Sequence, residues 1–451
     1  MMITENKLFN KDYMGNIVYV AIILYLLDII VLGSGNLAKI GGISTRMIFF
    51  AVALIGTLPN VIANIKKYIT NKYCIVIGMF FAYLIITAIV GVLNGNNFSF
   101  LITDIKGFLN FLIFIPMLYV LDSKEKVLFI LKLLLYVLTG MAVVTLLLSL
   151  YPLYSKEMQD VVYNFLNDYR LAIINYLYGD VMRVFLHTAS RVMFLGFMFA
   201  LTLVHYEPKR KVLWESCAAV LLTSLFVTYT RSIYLGIFVC FVFFVVTVAK
   251  WYKEYAKQYI HSLVRIALGV VVLILILGLL QRENPLKVAV GRCLLAGTSL
   301  ELLEKNNFED LDMLDNMEDE IDNLSIRDAR KKMAINNIKR SPIFGNGLGV
   351  VNDQNGDPIE YFYLDMMSKV GIVGLALFLA PFILATIDII KNRTKYQIQQ
   401  RFYSYSCVVG VLLLIVISYF NPCMNTSVGL AIYGMLISSV VVWKINSEKI
   451  Q

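Results

Sequence analysis

The chain has 451 residues, 59% hydrophobic and only 16% charged, with a formal net charge of +9. Soluble domains average about 25% charged residues, so this composition, with a mean hydropathy of +0.72, excludes an ordinary soluble domain. The excess Lys and Arg sit mostly in short connections between apolar runs, which fits membrane orientation and argues against a nucleic-acid partner.

In chain order, apolar segments fall at about 17–32, 47–63, 74–93, 101–121, 127–150, 185–206, 212–230, 232–249, 264–280, 365–390, 404–420 and 426–443. A helix needs about 20 apolar residues to cross a bilayer, so the expected fold is all-α, a polytopic integral membrane protein of about twelve transmembrane helices. The first run lacks a small-residue cleavage site and reads as an uncleaved span. Every second connection is basic: Lys66, Lys67 and Lys72; Lys124 and Lys126; Lys209 to Lys211; Lys250 to Arg265; Lys391 to Arg401. The positive-inside bias then puts both termini in the cytoplasm.

Two long excursions fall on the outer side, at 151–184 and 281–364. The chain thus divides into spans one to nine over 1–280, a large extracytoplasmic, partly helical loop over 281–364, and the last three spans with a cytoplasmic tail over 365–451. The first part of the large loop, 299–322, is acidic with apolar residues at helical spacing. Its Asp310 and Asp312 form a DxD pair, a metal-holding pattern elsewhere but most often a solvated face in an acidic helix. Ser325 and Asp328 have the form of a capping box opening a basic helix with Arg327, Arg330 and Lys331. Pro342 ends that helix, and Gly345, Gly347 and Gly349 read as a turn with positive φ or close backbone approach.

The candidate chemistry lies at the outer face. Arg231, between two spans joined by almost no loop, Arg183 and Arg191 are arginines where the orientation rule expects none. A charge at bilayer depth costs about 3 kcal/mol on insertion scales and usually faces a polar cavity or a partner. Snorkelling to headgroups is the simpler account of any one of them. Together with Arg327 and Arg330 they suggest an anion site, because guanidinium forks fit phosphate oxygens. His187, four residues after Arg183, would share a helical face with it. The three histidines have no zinc spacing, and His205 and His261 read as cytoplasmic-side surface residues. Among the acids Asp353, Asp357, Glu360 and Asp365, the pair Glu360 and Asp365 flanks the return to the membrane and suits a general base. A solvated or helix-N-terminal acid is the alternative for each. Asp104 and Lys106 read as a local ion pair, and the six cysteines, scattered without CxxC spacing, read mostly as buried thiols.

TYTRSIYLG at 228–236, SPIFGNGLG at 341–349 after a large outer loop, YLDMMSKVGIVGLALFL at 363–379 and RVFLHTASRVMFLG at 183–196 together resemble the O-antigen polymerase and ligase superfamily. The resemblance covers 183–379 best and includes the Wzy-type polysaccharide polymerases. It implies a metal-independent glycosyltransferase without a cofactor, acting on the outer face of the bacterial cytoplasmic membrane. The donor would be an undecaprenyl-diphosphate-linked glycan and the acceptor a sugar hydroxyl of another lipid-linked oligosaccharide. Arg231 and Arg327 match the family's arginines, and Arg183 and Arg191 match more loosely. Ligases of the superfamily carry a histidine just before the returning span, whereas this chain has Glu360 and Tyr361 there, which favours a polymerase of O-antigen, capsule or exopolysaccharide. The bilayer, a flippase and a chain-length regulator are the partners such a role implies. A ligase, and a flippase or other transporter, are the competing readings.

Overall fold

The computed structural model describes residues 11–33, 35–178, 181–251, 253–281, 285–295, 311–353, 359–396 and 398–448. Asp310 and Asp357 therefore lie outside the described residues. The fold is all-α apart from two short hairpins, and among the described residues nine helices are long and apolar enough to cross a membrane.

The first runs through α1 (Lys11–Leu27) and one π-turn (Asp28–Leu32), and a small hairpin, β1 (Lys39–Ile40) with β2 (Ile43–Ser44), turns it into α2 (Thr45–Ala63). After the short α3 (Ile65–Ile69) comes α4 (Lys72–Leu93), opened by Asn71, whose Oδ1 accepts from the Tyr73 amide at 2.9 Å. The fourth expected span is segmented: α5 (Phe98–Leu109), a 3-10 turn (Asn110–Ile113) and α6 (Phe114–Val120). The fifth is α7 (Lys124–Ser149).

The excursion at 151–184 carries structure that hydropathy does not reveal. It contains α8 (Lys156–Asp168) and a hairpin of β3 (Ala172–Tyr178) and β4 (Val181–Leu186). The expected sixth span from 185 is corrected accordingly: its first residues close β4, and helix α9 starts at Ala189 and runs to Tyr206. Both the strand and the helix are apolar there, so hydropathy alone places no boundary between them. Arg183 and His187 do not share a helical face, because Arg183 is on the strand and His187 in the turn after it. Helix α9 is buried almost all round, as suits a helix that is apolar on every side between Arg191 near its start and His205 near its end. Its neighbours are α7, α10 (Lys211–Val227) and α16 (Ile398–Ile417).

Helices α11 (Arg231–Trp251), α12 (Ala256–Gln281) and α13 (Pro285–Leu295) follow. In the large loop, α14 runs unbroken over Leu311–Arg340, so Ser325 lies inside a helix and does not cap one. The charge reverses along α14 without interrupting it, and Lys339 and Arg340 in the last turn suit the negative end of the helix dipole. The helix ends before Pro342, as the sequence predicts.

The chain returns through α15 (Phe362–Lys391) and finishes with α16 and α17 (Ser427–Glu448). Helices α10, α16 and α17 lie where the sequence puts its seventh, eleventh and twelfth spans. Pro381 interrupts the hydrogen-bond ladder of α15, and Tyr433 of α17 repairs it. The Tyr433 hydroxyl donates to the Phe378 carbonyl at 2.8 Å and accepts from the Phe382 amide at 2.8 Å. Phe80, Phe108, Phe111 and Phe362 pack around Phe378 at this point, tying α4, α5 and α15 into one core.

Candidate functional site

One end of the bundle collects the turn 341–349, the connection between α4 and α5, the turn before α9, the connection between α10 and α11, and the segment before α17. The local reason begins at Gly371, where α15 is broken by backbone angles of φ 64° and ψ −173°. The amides that lose helical acceptors there find new ones. Ile372 and Val373 donate to the carbonyls of Pro342 and Ile343 at 3.0 and 3.2 Å. The carbonyls freed on the other side, Ser368 and Lys369, accept from Asn346 and Gly347 at 3.0 Å each. The glycine turn is therefore stitched into the helix break, and both satisfy groups that would otherwise be orphaned.

Gly345, Gly347 and Gly349 all have positive φ, in line with their sequence reading. At Gly347 the need is twofold: φ is 90°, and a Cβ would stand 2.3 Å from the Gly91 amide of α4. Leu348 donates to the Thr87 carbonyl at 3.0 Å, and the Asn96 side chain donates to the carbonyls of Asn346 and Leu348 at 3.1 and 3.0 Å.

The carboxylates at the loop's return are engaged. Lys369 sits between Asp104 and Asp365, 2.8 Å from each. Asp365 also accepts from Asn352 Nδ2 at 3.0 Å, and Asp104 from the Gly349 amide at 2.9 Å. The expected pair of Asp104 with Lys106 does not form, because Lys106 points to the opposite side of α5 while Asp104 is drawn to the buried lysine. Glu360 pairs with Arg327, and Arg330 pairs with Asp353 at 2.7 Å. The five loop residues singled out by sequence thus form two ion pairs and a lysine-centred cluster; Arg327 and Arg330 face carboxylates of their own loop.

Arg183 and Arg191 meet elsewhere at the same end. The guanidinium carbons of Arg183 and Arg191 lie 6.0 and 5.9 Å from the ring centroid of Phe185. Arg183 Nη2 donates to Thr230 Oγ1, on the residue before Arg231, at 3.4 Å. Arg231 opens α11, and its neighbour Ser232 accepts from Asn421 Nδ2 at 3.0 Å. Arg191 lines a cavity of about 420 Å³ whose wall also carries Arg46, Lys106 and His187. Burial, then the charges of Arg191 and Arg170, hold the His187 imidazole below its ordinary value. Arg46 escaped the sequence reading, although the signal was present. It is an arginine in a connection that the alternation leaves outside, the feature that exposed Arg231.

Comparison with curated proteins gave no match. Residues 216–379, which include Arg231, Arg327, Arg330, Glu360 and Asp365, match the family model described as O-antigen ligase, in agreement with the O-antigen polymerase and ligase superfamily.

Proposed function

We propose that the protein is a polysaccharide polymerase joining undecaprenyl-diphosphate-linked repeat units on the outer face of the bacterial cytoplasmic membrane. Both termini then lie in the cytoplasm, and the glycan is O-antigen, capsule or exopolysaccharide. The observation that carries the reading is the convergence of Arg183 and Arg191 on the Phe185 ring, with Arg183 bonded to Thr230, the residue before Arg231, at the end of the bundle where the large loop docks. An acceptor hydroxyl oxygen bonds to the anomeric carbon of the donor as the bond from that carbon to the phosphate oxygen breaks. The lipid diphosphate leaves with the electron pair, and its charge is met by guanidinium groups that need no rearrangement. Arg327 and Arg330 hold the loop by their carboxylate pairs with Glu360 and Asp353.

The hydroxyl proton goes to a carboxylate. Glu360 is the better placed of the two candidates, with 31% of its side chain exposed beside Arg327. Asp365, at 20% and held by both Lys369 and Asn352, orients the loop's return. The reading is tested on a gel of lipid-linked and surface glycan from a strain deleted for the gene, complemented with wild type, Arg231→Ala or Glu360→Gln. A ladder reduced to single repeats without the wild-type gene supports polymerisation; an unchanged ladder sinks it. The family description favours a ligase as the second reading, and long polymer accumulating on the lipid carrier would establish that instead.

A further inference from the structure

The cavity beside Arg191 is built by parts of the chain that meet only in the fold. Its wall combines Gly33 at the end of the first span, Arg46 at the start of α2, Lys106 in α5, His187 and Arg191 around the start of α9, and Thr426 before α17. Every one of its lining residues falls outside the family-matched segment 216–379. Three side chains bear full positive charge, and no Asp or Glu is among the lining residues. Asp28, which interacts with the Arg46 charge, is buried and accepts from the Thr45 hydroxyl. Arg46 Nη1 donates to the Gly33 carbonyl at 3.2 Å, and the buried Arg191 Nε meets no acceptor among the described residues.

Cations gathered in one recess without acids repel each other, and a bound anion is the simplest relief. The volume of about 420 Å³ falls within the usual range for ligand pockets, roughly 300–1,000 Å³.

We propose that this cavity seats the diphosphate of a lipid-linked glycan, with Arg46, Lys106 and Arg191 on the phosphate oxygens; the assignment rests on the polymerase reading. The diphosphate seat then extends into the N-terminal spans. Arg46 and Lys106 are substrate-binding residues that the superfamily resemblance does not supply.

The test uses the full chain in nanodiscs of zwitterionic lipid, titrated with farnesyl diphosphate and separately with inorganic pyrophosphate by calorimetry. Loss of a charge-assisted hydrogen bond weakens binding by about tenfold or more. Arg46→Gln and Lys106→Gln should each weaken farnesyl diphosphate by that factor, Arg46→Lys should recover part of it, and Lys209→Gln, at the other end of the bundle, should change nothing. Thermal unfolding checks the fold; because Lys106 is exposed on α5, its variant carries the test if Arg46→Gln unfolds. Unchanged affinity in the folded variants overturns the proposal. Pyrophosphate binding as tightly as the prenyl form overturns its lipid part and assigns the seat to a free anion. A deletion strain with a normal glycan ladder defeats the polymerase reading while leaving the binding result standing, so the two failures are distinguishable.

Discussion

Replacing Lys369 with methionine isolates the interaction that fixes the loop's return to the bundle. Lys369 is 14% exposed, and its Nζ stands 2.8 Å from both Asp104, itself 14% exposed, and Asp365, 20% exposed. Methionine keeps the stem of the side chain and removes the charge. Two carboxylates on neighbouring helices would then face each other without a cation. Breaking a buried pair by removing one partner costs about 3–5 kcal/mol, and here one lysine serves two acids, so the upper part of that range is expected. Asp365 also retains Asn352, and Asp104 retains the Gly349 amide, so the loss stops short of two independent pairs. The assay is denaturant unfolding in detergent of wild type, Lys369→Met and the triple variant that adds Asp104→Asn and Asp365→Asn. The triple variant should be more stable than Lys369→Met alone, because the uncompensated charges are gone. A Lys369→Met protein within about 0.5 kcal/mol of wild type, the level of an ordinary surface change, would refute the reasoning.

Further outcomes follow from other contacts. Gly347→Ala should cost about 1–2 kcal/mol from the positive φ alone. It should also undock the turn from α4, read as faster proteolysis after Arg340, because the new Cβ meets the Gly91 amide at 2.3 Å. Burial, then the charges of Arg191 and Arg170, put the folded pKa of His187 below the unfolded value of about 6.5. The unfolded chain binds that proton more readily. The contribution to stability is therefore full above about pH 6.5 and declines as pH falls through it. His187→Gln should remove this part of the acid dependence in a melting series. A bound diphosphate favours protonated His187, so farnesyl diphosphate should bind more tightly as pH drops through the same window. Glu360→Gln should lower turnover by about a hundredfold or more, as loss of a general base does, whereas Asp365→Asn should act mainly through stability.

The sequence made the class and most of the spans legible because long apolar runs admit few alternatives. Its glycine turn was also readable: spacing after Pro342 indicated positive φ, and all three glycines adopt it. What hydropathy could not separate was strand from helix at 181–186, since both present apolar residues there. Apart from Lys369 with Asp365, four residues apart on one helix, the ion pairs of this site join partners distant in sequence. Lys369 meets Asp104 across 265 positions, farther than any local pattern reaches. The same holds for the cationic cavity, whose residues come from five separate regions of the chain. The arginines at this end of the bundle could be singled out one by one, but their division into loop-holding pairs and a cavity-facing group depends on how distant segments pack.

The central claim is glycosyl transfer between two lipid-linked repeats, and the most direct measurement is reconstitution. The purified full chain in liposomes would be given a single lipid-diphosphate-linked repeat unit from its own host, with products resolved by mass spectrometry. The account predicts a ladder of lipid-linked oligomers with one equivalent of free lipid diphosphate released per bond formed, abolished by Arg231→Ala. Repeats returned unjoined by the folded wild-type protein would contradict it.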